Sequence, residues 1–126
     1  MRIYVSHPRD WDFESELREQ LRRSPLAAAH TLVFPRRGDD EFVGNRLRLA
    51  ECDLVIAECS QQSTEQGIEL GWADAAKTPI FRIRQARAPL MESMRLFSRC
   101  DVAVYDDLSE LRGAWLDPFA GVLLSY

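Results

Sequence analysis

Short apolar runs alternate with amphipathic stretches along the chain. Between the runs, apolar residues at helical spacing predict helices at 11–22, 42–52, 67–77 and 88–97, and a last helix that Ser109 begins. The runs themselves are rich in β-branched and aromatic residues and predict five strands, at 2–6, 31–34, 53–57, 79–83 and 101–105. Strands that alternate with helices are typical of a parallel sheet with right-handed crossovers. The pattern therefore predicts an α/β fold, a doubly wound, flavodoxin-like or Rossmann-like five-stranded parallel sheet with helices on both faces.

Local signals refine some of these elements. The run at 53–57 is almost continuously apolar, which is typical of a central strand covered on both faces. Asp10 or Asp12 is predicted to cap the first helix, and Pro25 to stop it. The helix at 42–52 has an apolar side formed by Phe42 or Val43, Leu47 and Ala50. The apolar tail at 117–126 has no assigned element.

Length and composition fit a single domain over residues 1–126, long enough to bury a core without a disulfide or a metal. The net charge of −4 argues against a nucleic acid polymer as partner. Three cysteines without a close pair predict reduced thiols, and hence a cytoplasmic location. The sequence has no secretory signal and no apolar stretch long enough for a membrane span, so no membrane association is expected.

The loops that follow the strands are the place to look for chemistry, because parallel sheets bind ligands at the carboxyl ends of their strands. After the first strand come Ser6 and His7, and His7 is either a ligand contact or an ordinary loop histidine. Arg36 and Arg37 follow the second strand, where they either pair with a phosphate or form a solvated turn. Ser63, in the polar loop after the third strand, either only caps the next helix or also helps to hold an anion there.

Glu69 lies near the start of that helix. A carboxylate there either complements the helix dipole or projects into the ligand crevice as a nucleophile or base. The chain has no dinucleotide fingerprint, no phosphate-binding loop of NTPases, no nucleophile elbow and no metal-ligand spacing. Neither a cofactor nor a metal is therefore expected.

The most specific stretch of the chain runs from Cys52 to Lys77. It combines the strand at 52–58 (CDLVIAE), then Ser63, then the helix start at 67–73 (GIELGWA). This stretch resembles the core of nucleoside 2-deoxyribosyltransferases and related nucleoside 5′-monophosphate N-glycosidases. The first strand, with Tyr4 at a matching aromatic position, and the segment at 77–80 resemble the same family.

The resemblance implies an enzyme in which Glu69 attacks the anomeric carbon of a nucleoside or its 5′-monophosphate. The base leaves, and the glycosyl-enzyme ester then reacts with water, as in a hydrolase, or with a second base, as in a transferase. Ser63 would hold the 5′ end of the sugar, and Gly67 would let helix and ligand approach closely. The implied substrate-binding set is completed by Tyr4, Ser6, His7 and Asn45.

The chain departs from the family pattern in three respects. The first loop lacks the usual glycines, and Asn45 stands where family members usually have an Asp, although Asn cannot act as an acid. The chain is also short, which implies a homo-oligomer in which a neighbouring subunit completes the site, with Ser93 as a residue that reaches across.

Two alternative functions follow from these departures. One is a nucleotide-binding or sensing module with little or no glycosidase activity. The other is a protein-interaction domain in which Glu69 is only a dipole partner.

Overall fold

The computed structural model describes residues 1–38, 41–88 and 103–111. Five strands and five helices occupy these ranges. In chain order they are β1 (Arg2–Ser6), α1 (Glu14–Arg22), α2 (Pro25–Ala29), β2 (Thr31–Val33), α3 (Glu41–Ala50), β3 (Leu54–Glu58), α4 (Thr64–Ala75), β4 (Ile80–Gln85), β5 (Ala103–Tyr105) and α5 (Leu108–Leu111).

The five strands form one sheet in the order β2-β1-β3-β4-β5, and every neighbouring pair is parallel. The predicted doubly wound α/β fold is thereby confirmed. The chain passes from β1 outward to β2 and then returns to β3 on the other side of β1. This reversal is a topological switch point, and ligands bind in the crevice outside the strand ends at such a point. The loops after β1, β2 and β3 meet there.

The core lies on both faces of the sheet. β3 is buried along its whole length, as its continuous apolar run predicted. Because side chains alternate along a strand, Ile3 and Val5 join a cluster with Leu17 and Leu21 of α1. On the opposite face, Tyr4 packs in a cluster that includes Leu70 of α4. Tyr4 and Ser6 therefore share the face of β1 that α4 covers.

Several local predictions were wrong. Pro25 begins α2, a helix that was not predicted, and Ser24 is its N-cap residue. Neither Asp10 nor Asp12 caps α1, whose N-cap residue is Phe13. Ser109 lies inside α5 instead of beginning it, and the Asp107 carboxylate accepts a hydrogen bond from the Ser109 backbone N–H at 2.9 Å.

Two helices differ from their predictions in ways that affect the site. α4 begins at Thr64, three residues before the predicted start, so Glu69 lies in its second turn. In α3 the predicted apolar side faces outward, since Val43 and Leu47 are 69% and 65% exposed. The buried residues of α3 are instead Asn45 and Leu49.

Other predictions lie outside the described residues. These are the tail at 117–126, Cys100, Ser93 and all but the first residue of the helix at 88–97. Cys52 and Cys59 are buried and form no disulfide. Within the described ranges, no helix has the length and apolarity that crossing a bilayer requires.

Candidate functional site

Glu69 is a buried carboxyl whose two oxygens are both held by hydroxyl groups of β1. The Tyr4 hydroxyl donates to Oε2, and the Ser6 hydroxyl donates to Oε1 at 3.0 Å. The residue is only 4% exposed. The alternation of side chains along β1 explains the arrangement, because it directs positions 4 and 6 to the same face, against α4. The carboxyl group is therefore fixed in orientation from both sides.

Burial raises the pKa of Glu69 to about 7, while the hydrogen bonds from Tyr4 and Ser6 oppose the rise. Burial and the nearby Glu69 charge raise the pKa of Tyr4 above its ordinary value, so Tyr4 keeps the proton it donates. Glu69 is thus a carboxyl that changes charge near neutral pH, as many catalytic carboxyls do. The dipole interpretation has little support, because a helix dipole acts mainly within the first turn.

A pocket with about 480 Å³ of empty space, partly open to solvent, lies beside Glu69. Four arginines and two glutamates give its wall a positive balance of charge. The lining residues are His7, Arg9, Arg18, Pro35, Arg36, Arg37, Gly38, Phe42, Asn45, Glu65 and Glu69.

Arg18 is fixed in the pocket wall by three acceptors. Its Nη2 donates to the Pro35 carbonyl at 3.0 Å and to Nε2 of His7 at 3.3 Å, and it forms an ion pair with the Glu14 carboxylate at 2.9 Å. Glu14 also pairs with Arg37. One buried carboxylate therefore holds two of the four pocket arginines.

His7 is a neutral imidazole. Its Nδ1 lies 3.0 Å from the carbonyl of Pro8, and a carbonyl only accepts, so we assign the ring proton to Nδ1. Nε2 is then free to accept from Arg18. Burial, more than any other cause, lowers the pKa of His7. His7 lines the pocket but uses both nitrogens in protein contacts.

Asn45 is buried and holds the backbone of the loop after β2. Its Oδ1 accepts from the Arg36 N–H at 2.9 Å, and its Nδ2 donates to the Arg36 carbonyl at 3.0 Å. Arg48, one turn further along α3, donates to the same Oδ1 at 2.8 Å. Asn45 thus lines the pocket chiefly as a clamp on Arg36.

Ser63 caps α4, as predicted. Its Oγ accepts from the backbone N–H groups of Gln66 at 3.3 Å and Arg9 at 3.2 Å. Two accepted bonds use both lone pairs, so the hydroxyl proton remains to donate. Ser63 contacts the backbone of the pocket residue Arg9 but is not itself in the wall.

Gly67 is not part of the pocket wall either. A Cβ added there would meet no described atom within 4 Å. Close approach of a ligand at Gly67 stays a prediction.

Of the seven predicted site residues, three are directly bonded, namely Glu69, Tyr4 and Ser6, and two more, His7 and Asn45, line the same pocket. Sequence reasoning missed Arg9, Glu14 and Arg18. The i, i+4 spacing of Glu14 and Arg18 was visible, but it is also that of an ordinary surface ion pair on a helix.

A second buried carboxyl, Glu58, resembles Glu69 in its surroundings. The hydroxyls of Tyr105 and Ser60 both donate to its Oε2, and the Ser60 backbone N–H donates to Oε1. Burial raises its pKa to about 7 as well, against the opposing effect of these hydrogen bonds. Glu58 does not line the pocket, and it holds the loop after β3 in place.

Where the chain is described, no cluster of three or more His, Cys, Asp or Glu side chains is arranged to bind a metal ion.

The comparisons with known proteins identify the fold. No family model and no curated protein sequence matches the chain. Among solved structures, the chain is similar to the CMP N-glycosidase BcmB of Clostridium botulinum, with a TM-score of 0.66 and 20% identity over 100% of both chains. It is also similar to a 2-deoxyribosyltransferase of Bacillus psychrosaccharolyticus, with a TM-score of 0.65 and 14% identity over 89% of this chain and 90% of that one. A conserved protein of Enterococcus faecalis V583 matches with a TM-score of 0.67 and 14% identity over 90% of this chain and 95% of that one. The chain therefore has the nucleoside 2-deoxyribosyltransferase-like fold that its sequence resemblance implied.

Proposed function

We propose that this protein cleaves or transfers the N-glycosidic bond of a nucleoside or nucleoside 5′-monophosphate, with Glu69 as the nucleophile. The observation that carries the proposal is the buried Glu69 carboxyl beside the pocket, with each oxygen held by one hydroxyl of β1. The fold supports it, since an N-glycosidase and a deoxyribosyltransferase share it.

The geometry suits a carboxylate nucleophile at a sugar carbon. The ionised carboxylate attacks the anomeric carbon, so a glycosyl ester forms and the base is expelled. Water or a second base then attacks the same carbon on the face opposite the carboxylate and releases it. The bonds from Tyr4 and Ser6 orient the carboxylate before attack, which is a contribution of positioning. Because the pKa of Glu69 is about 7, we expect the rate of base release to rise with pH through the neutral range.

The positive wall of the pocket favours an anionic substrate. Arg9 lies beside the N-terminus of α4, where Ser63 retains a hydroxyl proton to donate. Free N–H groups at a helix N-terminus and a nearby guanidinium are suited to a phosphate. We therefore place the 5′ end of the substrate at Ser63 and Arg9, and we expect 5′-monophosphates to be preferred over nucleosides.

The experiment is base release. The purified protein is incubated with ribo- and deoxyribonucleosides and their 5′-monophosphates, and free base is measured by chromatography. We expect release by the wild type and none by Glu69→Ala. Glu58→Gln serves as the control, because Glu58 has a similar environment but lies outside the pocket wall.

Failure of every substrate to release base, from a protein shown to be folded, would contradict the proposal. The second candidate, a nucleotide-binding module, would then be favoured. The observation behind it is that the Asn45 amide is bonded to the Arg36 backbone and supplies no acid for the reaction. A rise in melting temperature with nucleotide but no turnover would support that candidate. A homo-oligomer that completes the site and a cytoplasmic location remain further parts of our proposal.

A further inference from the structure

Arg36 differs from the other arginines of the pocket. Arg9, Arg18 and Arg37 each pair with a carboxylate, at Glu65, Glu14 and Glu14 respectively. Within the described part of the chain, no hydrogen bond or ion pair engages the Arg36 side chain, although its backbone N–H and carbonyl are both bonded by Asn45. Arg36 is thus a cation on a fixed backbone with its charge available to a ligand.

A second layer of contacts fixes this clamp. Arg48 donates to Asn45 Oδ1 at 2.8 Å and to the Glu41 carboxylate at 2.7 Å, both from Nη2. Gly44 leaves room for this guanidinium, because a Cβ there would lie 3.1 Å from its Nη2. Glu41, Arg48 and Asn45 thus form a chain of hydrogen bonds that ends on the backbone of residue 36.

The described lining residues offer no ready acid for a departing base. The proton of His7 is committed to the Pro8 carbonyl, and Glu65 is paired with Arg9. Glu69 must be ionised to attack. Asn45 has no acidic proton. Cationic hydrogen-bond donors, by contrast, lie at the β2 side of the pocket.

The proposed 5′ site at Ser63, next to the pocket residue Arg9, fixes the direction of the substrate. Ser63 lies six residues before Glu69 in the chain, roughly 9 Å along a helix axis. That span leaves room for the sugar of a nucleotide between the two side chains. With the 5′ end at Ser63 and the anomeric carbon at Glu69, we place the base at the loop after β2, whose Arg36 lines the same pocket.

We infer that the nucleobase leaves as an anion stabilised by Arg36, and that Asn45 and Arg48 are positioning residues for that arginine. The inference rests on the proposed function. It names uracil as a preferred base over cytosine. The uracil anion spreads its charge over two ring carbonyls, which accept hydrogen bonds from a guanidinium, whereas cytosine has one carbonyl and an amino group.

The atoms balance without a further reactant. An oxygen of Glu69 bonds to the anomeric carbon as the bond to the base nitrogen breaks, and the electron pair stays on the base. A water oxygen then bonds to the anomeric carbon and releases the carboxylate. The proton from that water neutralises the base. Arg36 stabilises the charge between these steps and transfers no proton, which is an electrostatic form of catalysis.

The test compares leaving groups. Release is measured for uridine, 5-fluorouridine and cytidine, as 5′-monophosphates in the sugar series that the wild type prefers, with Arg36→Gln and Arg36→Lys beside it. We expect Arg36→Gln to lower kcat for uracil by at least about tenfold, with a smaller loss for 5-fluorouracil, whose anion is more stable. Arg36→Lys should recover part of the loss. Arg48→Met should show the same dependence on leaving group, more weakly.

Arg46→Gln is the matched control, because Arg46 lies on α3, as Arg48 does, but contacts Trp72 outside the pocket wall. Its kcat should equal that of the wild type. Three results for Arg36→Gln would overturn the inference: a kcat lowered equally for all three bases, an unchanged kcat, or a rise in KM alone. Base release that depends on Glu69 would still support the proposed function in each case. Absence of release from every wild-type reaction would overturn the proposed function, and this inference with it.

Discussion

Replacing Glu69 with Gln is expected to make the folded protein more stable at alkaline pH while it removes activity. Burial raises the pKa of Glu69 from its ordinary 4.5 to about 7. The folded protein therefore holds this proton to a higher pH than the unfolded chain does. Between these two pKa values the folded state binds more protons, so the free energy of unfolding falls as pH rises.

The magnitude follows from the difference between the two pKa values. Integrated from pH 5 to pH 8, a carboxyl with these values removes about 2.5 kcal/mol of stability. The amide of Glu69→Gln has no charge to desolvate, and its oxygen can still accept a hydrogen bond from Tyr4 or Ser6. From pH 5 to pH 8, the free energy of unfolding should therefore fall by about 2.5 kcal/mol less in Glu69→Gln than in the wild type.

The assay is urea unfolding at pH 5, 6, 7 and 8 for the wild type, Glu69→Gln and Glu58→Gln. Glu58 is the matched control for stability, because burial also raises its pKa to about 7. Both variants should flatten the dependence of stability on pH by a similar amount, and only Glu69→Gln should abolish base release. A Glu69→Gln profile parallel to that of the wild type would refute the reasoning, because it would mean that Glu69 ionises in the folded state near its ordinary pKa.

Two further predictions concern α4. Ser63→Ala removes the hydroxyl that accepts from the Gln66 backbone N–H, so we expect a loss of about 1 kcal/mol in urea unfolding and a raised KM for a 5′-monophosphate. An unchanged KM would contradict the placement of the 5′ end. Gly67→Ala and Gly71→Ala should each raise the unfolding free energy by up to about 1 kcal/mol, because an added Cβ meets no described atom within 4 Å and alanine favours a helix. Only Gly67→Ala should also lower kcat/KM, and a destabilised Gly71→Ala would show that this face is not open.

The alternation of strands and helices was sufficient to predict all five strands. Each run is rich in β-branched and aromatic residues, and the polar loops mark where one element ends. The helix α2 was missed because Pro25 was interpreted only as a stop. A proline also fits the first position of a helix, where its missing N–H costs nothing. Five residues are too few for a periodic pattern to reveal the element.

The orientation of α3 illustrates what a sequence pattern cannot contain. The apolar Val43 and Leu47 suggested the buried side, yet they are exposed and Asn45 is buried. The reason is tertiary: the Asn45 amide pairs with both backbone groups of Arg36. A buried amide with such partners incurs no desolvation penalty for an unmade bond, and no periodicity indicates that the partners exist.

The choice of Glu69 over Glu58 as the proposed nucleophile depends on how their oxygens are used and on which of them lines the pocket. A carboxylate oxygen has about two lone-pair positions. At Glu58, two hydroxyls share Oε2 and a backbone N–H takes one position on Oε1, so only one position remains, and Glu58 does not line the pocket. At Glu69, one hydroxyl contacts each oxygen, and the group lines the pocket. Of the two, Glu69 alone combines a fixed orientation and free lone pairs on both oxygens with a place in the pocket wall. The sequence of either segment does not contain this distinction, which depends on tertiary contacts.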